Sequence, residues 1–188
     1  MRTKNNHGGV IKIENNSVLT PSAQYISLCG NGAEVLYRNY IVTVIAQARN
    51  SRGESFAAFV DLLAANGLRV SEALAVRGFD CMFNGQVRIR GKKGSKDRLA
   101  TTIESSLYFV QQSSNDGLVF ASYNRWFVYR ELQKLGVRYQ SSGSTNVSIT
   151  HAFRHMFIRH LRQLGYSEVE IAKIVGHVNV SNTELYGK

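Results

Sequence analysis

A chain of 188 residues, 44% of them hydrophobic, has apolar material for one domain with a sizeable core, or one domain plus a short tail, and is not disordered in composition. No apolar run approaches the roughly 18 residues of a membrane span, and the polar start from Met1 to His7 has no apolar signal region behind it. The expectation is a protein with no membrane partner that stays where it is made.

Lys and Arg total 23 against 13 Asp and Glu, a formal net charge of +10. Such a surplus favours a polyanionic partner through counterion release, although a merely soluble basic protein carries the same signature. The two cysteines, Cys29 and Cys81, have no CxxC or Cys/His ligand spacing. Neither a structural zinc site nor a disulfide framework is expected, and a reducing interior is the natural setting.

In chain order, residues 1–18 are polar, rich in Asn and Gly, and read as a flexible arm. Thr20-Pro21-Ser22 offers an N-cap with proline at the first helical position. Val35, Leu36, Tyr40, Ile41 and Val44 recur near a 3.6-residue period and predict a helix over Ala33 to Arg49. A second helix runs from Glu54 and is closed by Gly67, and another starts around Val70-Ser71-Glu72. From Phe79 to Ile103 the period drops to 2, as in Val87-Arg88-Ile89-Arg90, with turns at Asn84-Gly85 and Gly94-Ser95. A three-stranded antiparallel sheet is expected there. Helical spacing returns over Tyr108 to Gln112 and Tyr123 to Leu135. A Ser/Gly-rich loop occupies Gln140 to Asn146, a strong helix spans Thr150 to Leu164, and Ser167 caps a helix to Val175. A last short helix from Ser181 or Asn182 would carry Tyr186. The class is α+β, mainly α, with a small three-stranded antiparallel sheet.

Three clusters carry candidate chemistry. In Gly67-Leu68-Arg69-Val70-Ser71-Glu72, Arg69 follows a helix-ending glycine within an apolar stretch, where an arginine needs an anionic partner. An internal ion pair to Glu72 would satisfy it as well as a ligand would. In His151-Ala152-Phe153-Arg154-His155, His151 and Arg154 share a helix face and could offer one ligand a proton acceptor and a phosphate clamp; a solvated basic face including Arg159 and Arg162 is the bland alternative. His151 and His155 lack the glutamate of HExxH, so no metal is expected. The third cluster is Gly176-His177-Val178-Asn179-Val180, with Tyr186 nine residues after the histidine.

Together, in this order, GLRVSEAL, THAFRHMFIRHL and IVGHVNVSNTELYGK resemble the boxes of the tyrosine recombinase (phage integrase) family, over about residues 20 to 188. The resemblance implies a helical catalytic domain that cuts and rejoins DNA through a 3′-phosphotyrosine. The expected site is Arg69, a hairpin lysine, His151, Arg154, His177 and the nucleophile Tyr186, with no cofactor or metal. For the lysine, VRIRGKKGSKDRL leaves two candidates: counting along the strand selects Lys92, and counting back from the turn selects Lys93. Strand phase fixes the face a side chain takes, which favours Lys92.

By the same resemblance Arg69 and Arg154 would hold the non-bridging oxygens, His151 would assist deprotonation of Tyr186, the lysine would protonate the leaving 5′-oxygen, and His177 would orient the phosphate. Glu72 would orient Arg69 or support a helix start. Arg88, Arg90, Lys96 and Arg98 would either set the hairpin against DNA or be solvated. The implied partners are double-stranded DNA, further recombinase protomers in a synaptic complex, and accessory DNA-bending proteins, in a bacterial, archaeal or viral-host cytoplasm. The expected organisation is an arm over 1–18 and the catalytic domain over 19–188, without the separate core-binding domain usual in the family. The two residues after Tyr186 likewise leave no room for the segment that packs on a neighbouring subunit. Alternative readings are a type IB topoisomerase-like nicking-closing enzyme and a catalytically idle DNA-binding module.

Overall fold

The structure is a computed structural model that describes residues 33–92, 95–137 and 149–177, with side chains from residue 37 onward. The expected helix near Thr20, the Gln140–Asn146 loop, Lys93, and the terminal helix with Tyr186 lie outside the described residues.

The element order is α1 (Ala33–Arg52), α2 (Glu54–Asn66), the one-turn α3 (Val70–Ala73), β1 (Val87–Ile89), β2 (Arg98–Ala100), α4 (Ser106–Gln112), α5 (Arg125–Lys134), α6 (Ile149–Gln163) and α7 (Glu168–Val175). Among the described residues no helix is long and apolar enough to cross a membrane.

Helix α2 is the axis of the fold. Its sequence is apolar around most of its circumference, and every residue from Phe56 to Ala64 is buried, as expected of a helix covered on all sides. Helix α1 packs along it and α6 crosses it. Phe56 and Phe59 project into an aromatic cluster with Phe120, Tyr123 and Phe127, whose ring centroids lie 4.8–6.4 Å apart. Tyr37 of α1 ties α1 to both neighbours: its hydroxyl donates to Ala64 O (3.0 Å), and its ring stacks on His160 of α6 at 4.3 Å.

The one ionisable residue buried within α2, Asp61, caps a loop instead of breaking the core. Its carboxylate accepts the backbone N–H groups of Ile103, Glu104 and Ser105 at 2.8–3.1 Å. A buried carboxylate needs such donors, and three backbone donors pin the entry of α4 to α2.

The sheet is smaller than expected. Among the described residues it has two antiparallel strands, with Val87 opposite Ala100 and Ile89 opposite Arg98. The third position is a single bridge between Cys81 and Val87. Gly78–Asp80 forms a 3-10 turn that draws the Arg77 N–H to the Asp80 carboxylate (3.1 Å), so the period-2 pattern there belongs to a turn. The Asn84-Gly85 turn is present, closed by Met82 N–H to Gln86 O at 2.8 Å. Ser167 caps α7 as expected, accepting from the Glu170 N–H.

Candidate functional site

Four chain segments converge beside the C-terminal end of α2. The first is the exit from α2 itself. Gly67 has φ +58°, and a Cβ there would lie 2.7 Å from the Phe157 ring of α6; only glycine fits both the left-handed turn and the close approach. Leu68 then enters the core and Arg69 follows in extended conformation, immediately before α3.

Glu72 holds this segment. Its carboxylate is 1% exposed. It accepts the Arg69 backbone N–H (2.9 Å), Arg69 Nη1 (3.3 Å) and Arg98 Nη2 (2.8 Å). Burial alone would raise its pKa, but the hydrogen bond and charge of Arg98, with the Arg69 N–H and Ser95, hold it at about 2. Glu72 is thus both the helix-start acceptor and the orienter of Arg69. Arg69 Nη1 donates further to Ser95 Oγ.

The second segment is the β1–β2 connection. Ser95 N–H donates to Lys92 O (3.2 Å), Gly91 N–H to the Asp97 carboxylate (2.8 Å), and Lys96 N–H to Gly176 O (3.0 Å). Ser95 also bridges His177, so the lysine loop and the end of α7 are fastened together. Arg98 is not on a solvated face: its side chain is 9% exposed and paired to Glu72.

The third is α6. Its Arg154 side chain is completely buried; Nη1 donates to Gly67 O (2.7 Å) and Nη2 to Val175 O (3.0 Å). Both acceptors are terminal carbonyls of helices, α2 and α7, where the backbone dipoles concentrate negative charge. One cation therefore joins two helix C-termini beneath the site. The last is the turn after α7, where Gly176 adopts φ +76° and the His177 N–H closes back on Ala172 O at 2.7 Å. That turn carries His177 inward, to 4% exposure.

A cleft of about 370 Å3 is lined by Arg69, Val70, Ser71, Lys92, Arg125, Thr150 and His151. Its titrating groups behave as members of one cationic cluster. His151 is pushed below the ordinary histidine range by burial, then by Arg125, Arg154 and Arg69. Burial lowers His177 to about 4, helped by Arg154, Arg69 and Arg98. His155 is held at about 4 by burial, His151, Arg154 and Arg162. The histidines are neutral near pH 7, so His151 can accept a proton. Such a cleft suits a phosphate: the anion would relieve the repulsion that depresses the histidines.

Of the residues singled out from sequence, Arg69, Lys92 and His151 line one cleft. Arg154 and His177 are buried and do not line it; Lys93 and Tyr186 fall outside the described residues. Two residues were not foreseen: Arg125, the first residue of α5, and Arg98 as the partner of Glu72. Asn124 marks the start of α5, since its side chain accepts the Phe127 N–H at 2.8 Å, but nothing in the sequence shows that this start abuts His151.

The model of the phage integrase family matches residues 34–188, and the chain belongs to that family. It is 30% identical over 138 residues to a TnP I resolvase of Bacillus thuringiensis, covering 69% of this chain and 48% of that one. It is 31% identical over 144 residues to the tyrosine recombinase XerA of Thermococcus kodakarensis, covering 68% and 48%. The chain spans about half the length of these relatives. Among solved structures, a XerA recombinase superimposes with TM-score 0.59 at 24% identity, over 78% of this chain and 57% of that one. The catalytic domain of bacteriophage HP1 integrase gives 0.57 at 21%, over 78% and 82%. These likenesses establish the fold as that of a tyrosine recombinase catalytic domain.

Proposed function

We propose that this chain cuts and rejoins DNA strands at specific sites, through a covalent bond between Tyr186 and a 3′-phosphate. The observation that carries the reading is the cleft in which Arg69, Lys92 and the half-buried His151 converge. The family membership and the named relatives support the same reaction.

In the reaction, the Tyr186 oxygen attacks phosphorus, the bond from phosphorus to the 5′-oxygen breaks, and a 3′-phosphotyrosyl link and a 5′-hydroxyl result. A phenol with an ordinary pKa near 10 needs a base, and neutral His151 takes its proton. Arg69, fixed by Glu72 and Ser95, binds the non-bridging oxygens as negative charge accumulates. Arg154 adds its field from below, and His177 orients the phosphate. Lys92, which lines the cleft and is favoured by strand phase, gives its proton to the leaving oxygen, with Lys93 as the alternative. Religation reverses these steps with the new 5′-hydroxyl as attacker, so the bond energy is conserved without a nucleotide or metal. The partners are double-stranded DNA, further protomers in a synapse and DNA-bending accessory proteins, and the setting is the cytoplasm.

The test mixes the protein with nicked suicide duplexes from DNA flanking its own gene. An SDS-resistant, protease-sensitive adduct is expected, and it should vanish in Tyr186→Phe. Lys92→Ala should fail on normal duplex yet recover on DNA with sulfur at the 5′-bridging position, since a thiolate leaves without a proton. Tight DNA binding with no adduct on any duplex would overturn the reading in favour of an idle binding module. Recovery by sulfur in Lys93→Ala alone would move the acid to Lys93.

A further inference from the structure

A second groove, of about 450 Å3, adjoins the cleft and shares Ser71 and Lys92 with it. Its other walls include Arg77, Arg90 and Leu118. The two arginines come from different parts of the chain: Arg77 precedes the 3-10 turn and Arg90 follows β1. Both meet the half-exposed ring of Phe79, with Arg90 at 4.8 Å and Arg77 at 5.9 Å from its centroid.

Arg90 is held in place. The buried carboxylate of Asp80 accepts its Nε–H at 3.0 Å, and the Phe79 ring supports its plane. Its two Nη groups take no other partner among the described residues. A guanidinium fixed by its Nε edge and face, in the wall of a groove, is arranged for an oxyanion. Three cations, Arg77, Arg90 and Lys92, stand there against the one carboxylate of Asp80. A structural ion pair explains Arg90 with Asp80, but not Arg77, which is exposed and has no ion pair among the described residues.

We propose that this groove binds the DNA backbone phosphates flanking the one in the cleft, so that Lys92 stands at the junction of two phosphate sites on one strand. The inference rests on the reading of the cleft as the site of DNA cleavage, and it adds where the strand runs on leaving that site. Contacts of this kind fix register and carry no base sequence. The groove should therefore bind every sequence equally and leave discrimination to other surfaces.

The test measures binding of the full chain to a labelled duplex of random sequence and to a cleavage-site duplex, over a salt series. Tyr186→Phe serves as the background, so no strand is cut. Each phosphate contact contributes about 0.9 to the dependence of log K on log salt. Arg77→Ala with Arg90→Ala should lower that slope by about 1.8, and each should weaken both duplexes alike by roughly tenfold at low salt. Arg77→Ala alone removes no described ion pair, so its fall of about 0.9 is read on an undisturbed fold. The pair Arg77→Lys and Arg90→Lys should restore most of the slope.

An unchanged slope in both alanine variants would overturn the proposal. So would an unchanged slope with lost association between protomers in sedimentation, which would make the groove a protein contact. A fall in slope, together with no adduct from the parent chain that keeps Tyr186 on any suicide duplex, would leave the groove standing and remove the cleavage reading.

Discussion

The aromatic half of the molecule and the cleft half bury their side chains by different means. Around α2 the buried groups are mainly rings and aliphatic chains, and the carboxylate of α2 itself, Asp61, accepts backbone N–H groups. Around the cleft the buried groups are Glu72, Arg154 and His177, with Arg98 nearly so, and these are held by one another and by helix ends. The first arrangement gains stability from every contact. The second keeps like charges close, which costs stability and creates a place for an anion. The fold thus separates the region that holds it together from the region arranged to receive an anion.

The largest stability effect should come from the aromatic half. Phe59 is fully buried, with Phe120 at 5.0 Å and Tyr123 at 5.8 Å between centroids. Phe59→Ala should reduce unfolding free energy by about 3–5 kcal/mol, read from urea titration. A loss under about 1 kcal/mol would mean that the cluster collapses around the gap, and that α2 is not the centre of stability described here.

The contrast sharpens with pH. In the folded chain His155 and His177 are held at about 4, whereas the unfolded chain binds their protons near the ordinary 6.5. The unfolded state therefore takes up more protons as pH falls from 6.5 to 4, and stability drops across that window. Glu72 and Glu131, held at about 2 against an ordinary 4.5, extend the loss from 4.5 down to 2. Asp61 acts oppositely: burial raises its pKa, so the folded state binds its proton more readily and resists acid slightly. Urea midpoints should fall steadily below pH 6.5, and His177→Asn with His155→Asn should flatten the upper window. A flat profile between 6.5 and 4.5 in the parent chain would show that these histidines are not held neutral.

Helix limits were largely legible because their signals are local. Gly67 ends α2 and Ser167 starts α7 through side-chain and backbone chemistry confined to one turn. The third strand was not, because alternation over Phe79–Cys81 fits a 3-10 turn as well, and the choice is made by Asp80 reaching the Arg77 N–H and Arg90. The cleft was legible through residue types in a family order. Its supporting contacts were not, since they are long-range: Arg98 meets Glu72 from 26 residues away, and Arg154 reaches Gly67 O across 87. Neither separation leaves a periodic trace.

The smallest expected effect probes the least legible residue. Arg125 lines the cleft and, after burial, is the first of the charges that depress His151. Removing it in Arg125→Ala should move the His151 titration upward, toward the ordinary histidine value, in an NMR pH series on DNA-free protein. His155 should follow only weakly, because its depression comes from burial, His151, Arg154 and Arg162. An equal shift at both rings would indicate a change in burial, and no shift at His151 would place Arg125 outside its electrostatic reach. The same logic gives the sign of the response to substrate. A phosphate entering the cleft would bring negative charge close to Arg125, Arg69 and Arg154, the charges that depress His151, so His151 should become more basic when an anion binds. Under the proposed function, His151 would then accept a proton most readily only while a phosphodiester occupies the cleft.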